Sequence, residues 1–200
     1  MQKKSTHGWR ESFPQSGESR AITPWLKDRG SLTERLQSAG TFSVALLNQS
    51  LALPTRDEAS ELALKPGQQA WIREVALICR GHPVVFAHTV LARSPRGPLT
   101  RWMDRLGNCS LGSLLFAHPR FARGPLNARK LDTRHPLYAP AIKALHLAGA
   151  QPSTLWARRS LFSFGGQSVL VTEVFSPEIF KIKKRKTKSE NTLQASEASL

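Results

Sequence analysis

Two charged side chains interrupt segments that otherwise read as buried strands. Arg73 lies in Trp71-Ile72-Arg73-Glu74-Val75-Ala76-Leu77-Ile78-Cys79, and Glu173 lies in Ser168-Val169-Leu170-Val171-Thr172-Glu173-Val174-Phe175. Alternate residues of a strand share a face. Arg73 therefore keeps company with Trp71, Val75 and Leu77, and Glu173 with Val169, Val171 and Phe175. An unpaired buried charge costs on the order of several kcal/mol, so each of these groups must either pair or line a cavity that takes a polar ligand. The chemistry on offer is that of an anion site with a proton-handling group. A guanidinium is a planar fork matched to a carboxylate, and a carboxyl in apolar surroundings has a raised pKa and can donate a proton. The same residues also fit a structural ion pair of Arg73 with Glu74 or Glu173.

Hairpins position both residues. Leu155 to Phe164, then Gly165-Gly166, then the strand of Glu173 read as a β-hairpin spanning about 154–176, with glycine supplying the positive φ of a tight turn. Strands over about 69–79 and 84–92, joined at Arg80-Gly81-His82-Pro83, form a second hairpin, and residues 41–54 read as a further strand. Ser31-Leu32-Thr33-Glu34 fits a helix-opening capping box, and Gly40 is a natural stop. Asp57 to Lys65 reads as a polar connection with some helical character. Leu99 to Leu106, ended by Gly107, and a segment from Ser110 to about His118 read as two short helices. Residues 119–138 have room for another strand, and Pro140 opens a helix over 141–148 that Gly149 ends. Strands joined by hairpins, with helices clustered between them, give an α+β fold with one antiparallel sheet of about six strands.

The whole chain sets outer bounds. Two hundred residues, 40% apolar, suit one domain with a real core. Residues 1–20 read as a disordered N-terminal segment, 21–180 as the domain, and 181–200 as a basic disordered tail. The N-terminus lacks the apolar stretch of a secretory signal, and no apolar run suffices to span a bilayer. Cys79 and Cys109 lack metal-ligand spacing, and a cytoplasmic protein is expected. The net charge is +15; residues 181–200 hold six cations against two acids, a net +4, so the remainder carries +11. Such a surplus favours anionic partners. The chain shows no zinc-finger spacing or RNA-recognition motif, so contact of the tail with nucleic acid or anionic lipid is a lesser reading.

At this point the residues resemble a known family. Leu155-Trp156-Ala157-Arg158-Arg159-Ser160 followed by the hairpin ending Leu170-Val171-Thr172-Glu173-Val174-Phe175 is similar to the C-terminal half of bacterial chorismate pyruvate-lyases. Trp25-Leu26, Gly30-Ser31-Leu32-Thr33, Trp71-Ile72-Arg73-Glu74-Val75, Gly81-His82-Pro83 and Cys109-Ser110-Leu111-Gly112-Ser113-Leu114-Leu115-Phe116 stand in the family's order, so the resemblance covers about residues 24–177.

The resemblance implies an antiparallel sheet with helix–turn–helix flaps over a buried ligand. It also implies cleavage of chorismate to 4-hydroxybenzoate and pyruvate, with no metal or organic cofactor and no obligatory protein partner. Arg73 becomes the carboxylate anchor, and Glu173 the group facing the ether or phenolic oxygen. Leu32 and Leu111 become walls of the site, with a main-chain hydrogen bond to the ligand. Leu32 stands where the family often has methionine, a swap of similar volume. One departure is His88, which stands where the family strand carries an arginine. It either replaces that charge when protonated or is a satisfied core histidine. Arg158 and Arg159 must point to opposite faces, so at most one faces the site, and the other is expected at the surface. Rival readings are a non-catalytic sensor of the same fold, a tail-driven nucleic-acid binder, and a relative that releases 3-hydroxybenzoate.

Overall fold

In the computed structural model, the described residues are 8–182 apart from 12, 14–16, 18, 93–97, 108, 113–114 and 116–119. One antiparallel sheet organises them. Its strands are β1 (Phe42–Ala52), β2 (Ala70–Cys79), β3 (His82–Ala92), β4 (Ala122–Arg123), β5 (Asn127–Leu131), β6 (Leu155–Phe164) and β7 (Gln167–Phe175). The order is β1-β2-β3-β7-β6-β4, and β5 also pairs with β6. The stretch expected to hold one further strand thus holds two short ones, both along β6, which makes seven strands where about six were expected.

Both hairpins turn on two residues in the left-handed region. Gly165 and Gly166 have φ of 54° and 76°, and Arg80 and Gly81 have φ of 53° and 81°. This pair of positive φ values is the turn whose twist matches its strands. Arg80 tolerates the position because its side chain is anchored: Nε and Nη2 donate to the Ala39 carbonyl at 3.1 and 2.6 Å. It thereby satisfies the last carbonyl of a neighbouring helix.

Five α-helices are described: α1 (Ser19–Leu26), α2 (Leu32–Ala39), α3 (Arg56–Glu61), α4 (Pro98–Arg105) and α5 (Tyr138–Ala144). Ser31 caps α2 by accepting from Glu34 N, whereas the reciprocal capping box forms at Thr55 and Glu58, opening α3 within what reads as a polar connection. Helix α5 starts and stops earlier than Pro140 and Gly149 suggest. His146 adopts φ of 55°, and Leu147 N donates to Ile142 O at 2.9 Å, a left-handed cap that ends the helix ahead of the glycine.

The two faces of the sheet are covered differently. Helices α1 and α2 pack on the face of Val75, Leu77 and Ala87, and Leu99 of α4 joins Leu91, Phe162 and Val169 on that same face. Helix α5 packs on the opposite face, against Phe86, Ala157 and Val174. In the N-terminal segment, Trp9 is buried and Arg10 bridges to Ala128. Residues 183–200, which include most of the basic cluster, lie outside the described residues. Among the described residues, no helix is long and apolar enough to cross a membrane.

Candidate active site

The first face of the sheet does not pack fully. Between β2, β3, β7, β6 and β4 on one side and α2 with Ser110, Leu111, Gly112 and Leu115 on the other lies a partly enclosed cavity of about 40 Å³. Arg73, Glu173, Leu32 and Leu111, separated widely in the chain, all line it, together with Thr33, Thr89, Ser110, Arg123, Ser160 and Phe162. The alternation of strand residues explains the gathering. Arg73 pairs with Thr89, and Ala87 pairs with Glu173, so odd-numbered residues of three adjacent strands point the same way.

Arg73 is 2% exposed. Its Nη1 donates to Gln49 Oε1 at 2.7 Å, and its Nη2 donates to the carbonyls of Gly107 and Cys109 at 2.6 and 3.1 Å. Burial pulls its pKa down from the ordinary guanidinium value. Its partners are neutral oxygens, so the ion pair with Glu74 or Glu173 does not form. Among the described residues, three of its five N–H groups are engaged, which leaves two for a ligand. Gly107 has φ of 48°, a conformation glycine adopts without strain, and this turn aims its carbonyl back at Arg73.

Glu173 has a different partner. Arg158, opposite it in the register of β6 and β7, donates through Nε to Glu173 Oε2 at 2.5 Å, while Nη1 donates to the carbonyls of Trp25 and Asp28, each at 2.7 Å. Arg158 thus locks the Glu173 carboxylate to the turn between α1 and α2. Glu173 Oε1 bonds no described residue.

Thr33 Oγ1 and Ser110 Oγ share a hydrogen bond of 2.6 Å that ties α2 to the segment over the cavity. A Cβ on Gly112 would stand 2.9 Å from Thr33 Oγ1, so glycine lets the two approach. Arg123 enters from the far side, its Nε donating to Ser160 Oγ at 3.0 Å and its Nη1 to the Arg29 carbonyl at 2.7 Å. Burial and the neighbouring Arg158 lower its pKa to about 10. Thr33, Ser110, Arg123 and Ser160 were not singled out in the sequence. The signal for Arg123 was an arginine in a stretch with room for a strand, and the hydroxyls left none.

On the opposite face the structure decides between the two readings of His88 and overturns the expectation for Arg159. His88 points away from the cavity and does not replace a substrate-binding arginine. Its Nδ1 lies 3.0 Å from Glu74 Oε1 and its Nε2 3.2 Å from Glu58 Oε1. Burial opposes its charge, but the Glu58 and Glu74 carboxylates outweigh it and raise its pKa to about 9. It is a core imidazolium between two acids. Arg159, expected at the surface, is 1% exposed. It pairs with Asp57 at 2.9 Å and Glu61 at 3.2 Å and lies over the Trp9 ring at 4.5 Å. Helix α3 and Trp9 together cover it, and neither was anticipated as a lid for that position.

The chain is similar to known proteins over most of its length. The family described as chorismate lyase matches residues 4–186. A probable chorismate pyruvate-lyase of Dechloromonas aromatica is 48% identical over 177 residues, 88% of this chain and 97% of that protein. One of Nitrosospira multiformis is 46% identical over 160 residues, 79% of this chain and 87% of the other. Among solved structures, the C-terminal domain of the histidine utilization repressor from Pseudomonas syringae superposes with a TM-score of 0.52 at 10% identity, covering 74% of this chain and 100% of that one. PhnF from Mycobacterium smegmatis does so with a TM-score of 0.52 at 18% identity, covering 76% and 66%. At such identities the likeness speaks for the fold alone.

Proposed function

The chain belongs to the chorismate lyase family, and on that premise we propose that it eliminates pyruvate from chorismate to leave 4-hydroxybenzoate, the ring precursor of ubiquinone. The observation that carries the reading is the convergence of Arg73 and Glu173, 100 residues apart in sequence, on one partly enclosed and largely apolar cavity. Arg73 takes the ring carboxylate with its remaining N–H groups. The side chains of Leu32, Leu111, Val171 and Phe162 hold the ring flat and exclude water. Glu173, fixed by Arg158, faces the oxygen substituents through Oε1, where it passes a proton or accepts the hydrogen bond of the product phenol.

The reaction is balanced without a co-reactant. The ring carbon–oxygen bond to the enolpyruvyl group breaks, and the ring loses a hydrogen as it becomes aromatic. The departing fragment gains a proton as it becomes pyruvate. Aromatisation supplies driving force, so the protein's work is orientation, charge stabilisation and proton movement. No electron acceptor enters this balance, which supports an enzyme that works without a redox cofactor. Contact of the basic tail with nucleic acid or lipid is no part of the chemistry.

The test is incubation of the purified protein with chorismate, followed by chromatography, alongside Arg73→Ala and Glu173→Ala. Equal amounts of pyruvate and 4-hydroxybenzoate, lost in both variants, are expected. Saturable binding of 4-hydroxybenzoate without turnover would turn the reading into a sensor of aromatic acids, and 3-hydroxybenzoate as product would overturn the ring position.

A further inference from the structure

Chorismate has two carboxylates, one on the ring and one on the enolpyruvyl arm, whereas 4-hydroxybenzoate keeps only the ring carboxylate. A site that turns over one and releases the other needs a second anion contact that the aromatic product does not use. Two arginines line the cavity, Arg73 from β2 and Arg123 from β4. In the sheet order β1-β2-β3-β7-β6-β4 these strands are separated by three others, so the two guanidinium groups approach the cavity from different sides.

The local structure that delivers Arg123 is specific. Strand β4 is two residues long, and Arg123 pairs with Phe162 of β6. The next amide, Gly124 N, donates to the Leu161 carbonyl at 2.8 Å, and a Cβ on Gly124 would stand 3.3 Å from that oxygen. Glycine therefore lets β4 lie close enough for the guanidinium to reach over the Phe162 ring, 5.1 Å from its centroid. Ser160 Oγ and the Arg29 carbonyl fix its orientation.

The two arginines that line the cavity offer one planar fork to each carboxylate of chorismate.

We propose that Arg123 holds the enolpyruvyl carboxylate of chorismate while Arg73 holds the ring carboxylate, so that Arg123 is the residue that distinguishes substrate from aromatic product. This rests on reading the cavity as the chorismate site. Loss of the carbon–oxygen bond leaves pyruvate on Arg123 and 4-hydroxybenzoate on Arg73 as two separate monoanions.

The experiment measures kcat and KM for chorismate by pyruvate release, and the Kd of 4-hydroxybenzoate by calorimetry, for the full chain and for Arg123→Gln and Arg123→Lys. A charge-assisted contact to a carboxylate is expected to matter by about tenfold or more. Arg123→Gln should therefore raise KM for chorismate by at least about tenfold while the Kd of 4-hydroxybenzoate stays within about threefold. Arg123→Lys, which keeps the charge and loses the fork, should show a smaller rise in KM with the same unchanged Kd. It decides the matter alone if the glutamine variant does not fold. A parallel loss of affinity for both ligands would make Arg123 a structural clamp between Ser160 and Arg29, and an unchanged KM would give it no role in the site; either result overturns the proposal. Absence of turnover in the unaltered chain would overturn the reading of the site itself, whereas turnover with an unmoved ratio of the two affinities would remove only the assignment of Arg123.

Discussion

Arg158 and Glu173 face each other across β6 and β7 and meet at 2.5 Å. Arg158 is also the group that binds the backbone of the turn between α1 and α2 through the carbonyls of Trp25 and Asp28. One buried guanidinium thus fixes both the acid of the cavity and the helix pair that covers it. Removing either partner has separable consequences. Arg158→Met leaves a carboxylate without its cation and two carbonyls without a donor, and should destabilise the protein by about 3–5 kcal/mol. Glu173→Gln keeps the shape and a hydrogen-bond acceptor for Arg158, and should lower kcat by about 100-fold or more with a much smaller change in stability. Urea denaturation alongside steady-state kinetics separates the two. A Glu173→Gln variant with near-normal kcat would remove that residue from the chemistry.

On the proposed reading, Arg73 serves the ligand and the protein at once. Its Nη2 holds the carbonyls of Gly107 and Cys109, so substitution affects both the anchor and the segment beyond α4. Lysine retains charge but cannot reach Gln49, Gly107 and Cys109 together while presenting a fork to a carboxylate. Arg73→Lys should weaken 4-hydroxybenzoate by about 10- to 100-fold, the worth of one charge-assisted contact. Calorimetric titration of the variant checks this, and an unchanged Kd would show that the ring carboxylate docks elsewhere.

Much of this site was legible in the sequence because a charge on an apolar strand face is conspicuous. Arg73 and Glu173 stand out by alternation alone, and the hairpins that carry them are marked by Gly81 and Gly165-Gly166. What was not legible depends on partners far away in the chain. Arg159 follows Arg158 directly and must point the other way, but nothing in its neighbourhood shows that Asp57, Glu61 and Trp9 converge to bury it. His88 could not be placed without knowing that Glu58, on a helix opened by a capping box at Thr55, reaches it from across the sheet face. Thr33 and Ser110 are small hydroxyl residues of ordinary type, and only the close approach at Gly112 reveals that they meet.

The His88 cluster makes stability depend on pH in a definite direction. The folded pKa of His88 is raised to about 9 from 6.5, so its contribution is fully present below pH 6.5 and is lost as pH rises through about 9. That shift corresponds to about 3 kcal/mol. Glu58 works at the other end. Burial opposes its charge, but His88 and the Thr55 cap prevail and hold its pKa below 4.5, so its contribution is present above that value and fades as pH falls further. Stability from this cluster should therefore be greatest between about pH 5 and 6.5. Urea unfolding at pH 6 and pH 9.5 should show the loss, and His88→Gln should flatten the difference. An equal alkaline loss in the variant would assign it to other groups.

Closure over the cavity is where turnover should be limited. The hydrogen bond between Thr33 and Ser110 joins α2 to the segment carrying Leu111, and Gly112 makes room for it. An aromatic acid held by Arg73 beneath this clasp should leave slowly, so the unaltered enzyme is expected to show a full pre-steady-state burst of product. Gly112→Ala places a methyl group 2.9 Å from Thr33 Oγ1 and 3.3 Å from Ser110 Oγ, which forces the clasp apart. The variant should bind 4-hydroxybenzoate about 3- to 10-fold more weakly, the loss of one hydrogen bond. If release limits the rate, its burst should shrink while kcat holds or rises. Rapid-quench measurement of the first turnover in both proteins checks this. A unaltered enzyme without a burst would place the slow step in the chemistry, and a Gly112→Ala variant with a lower kcat and an unchanged Kd would show that the clasp aligns the substrate without retaining the product.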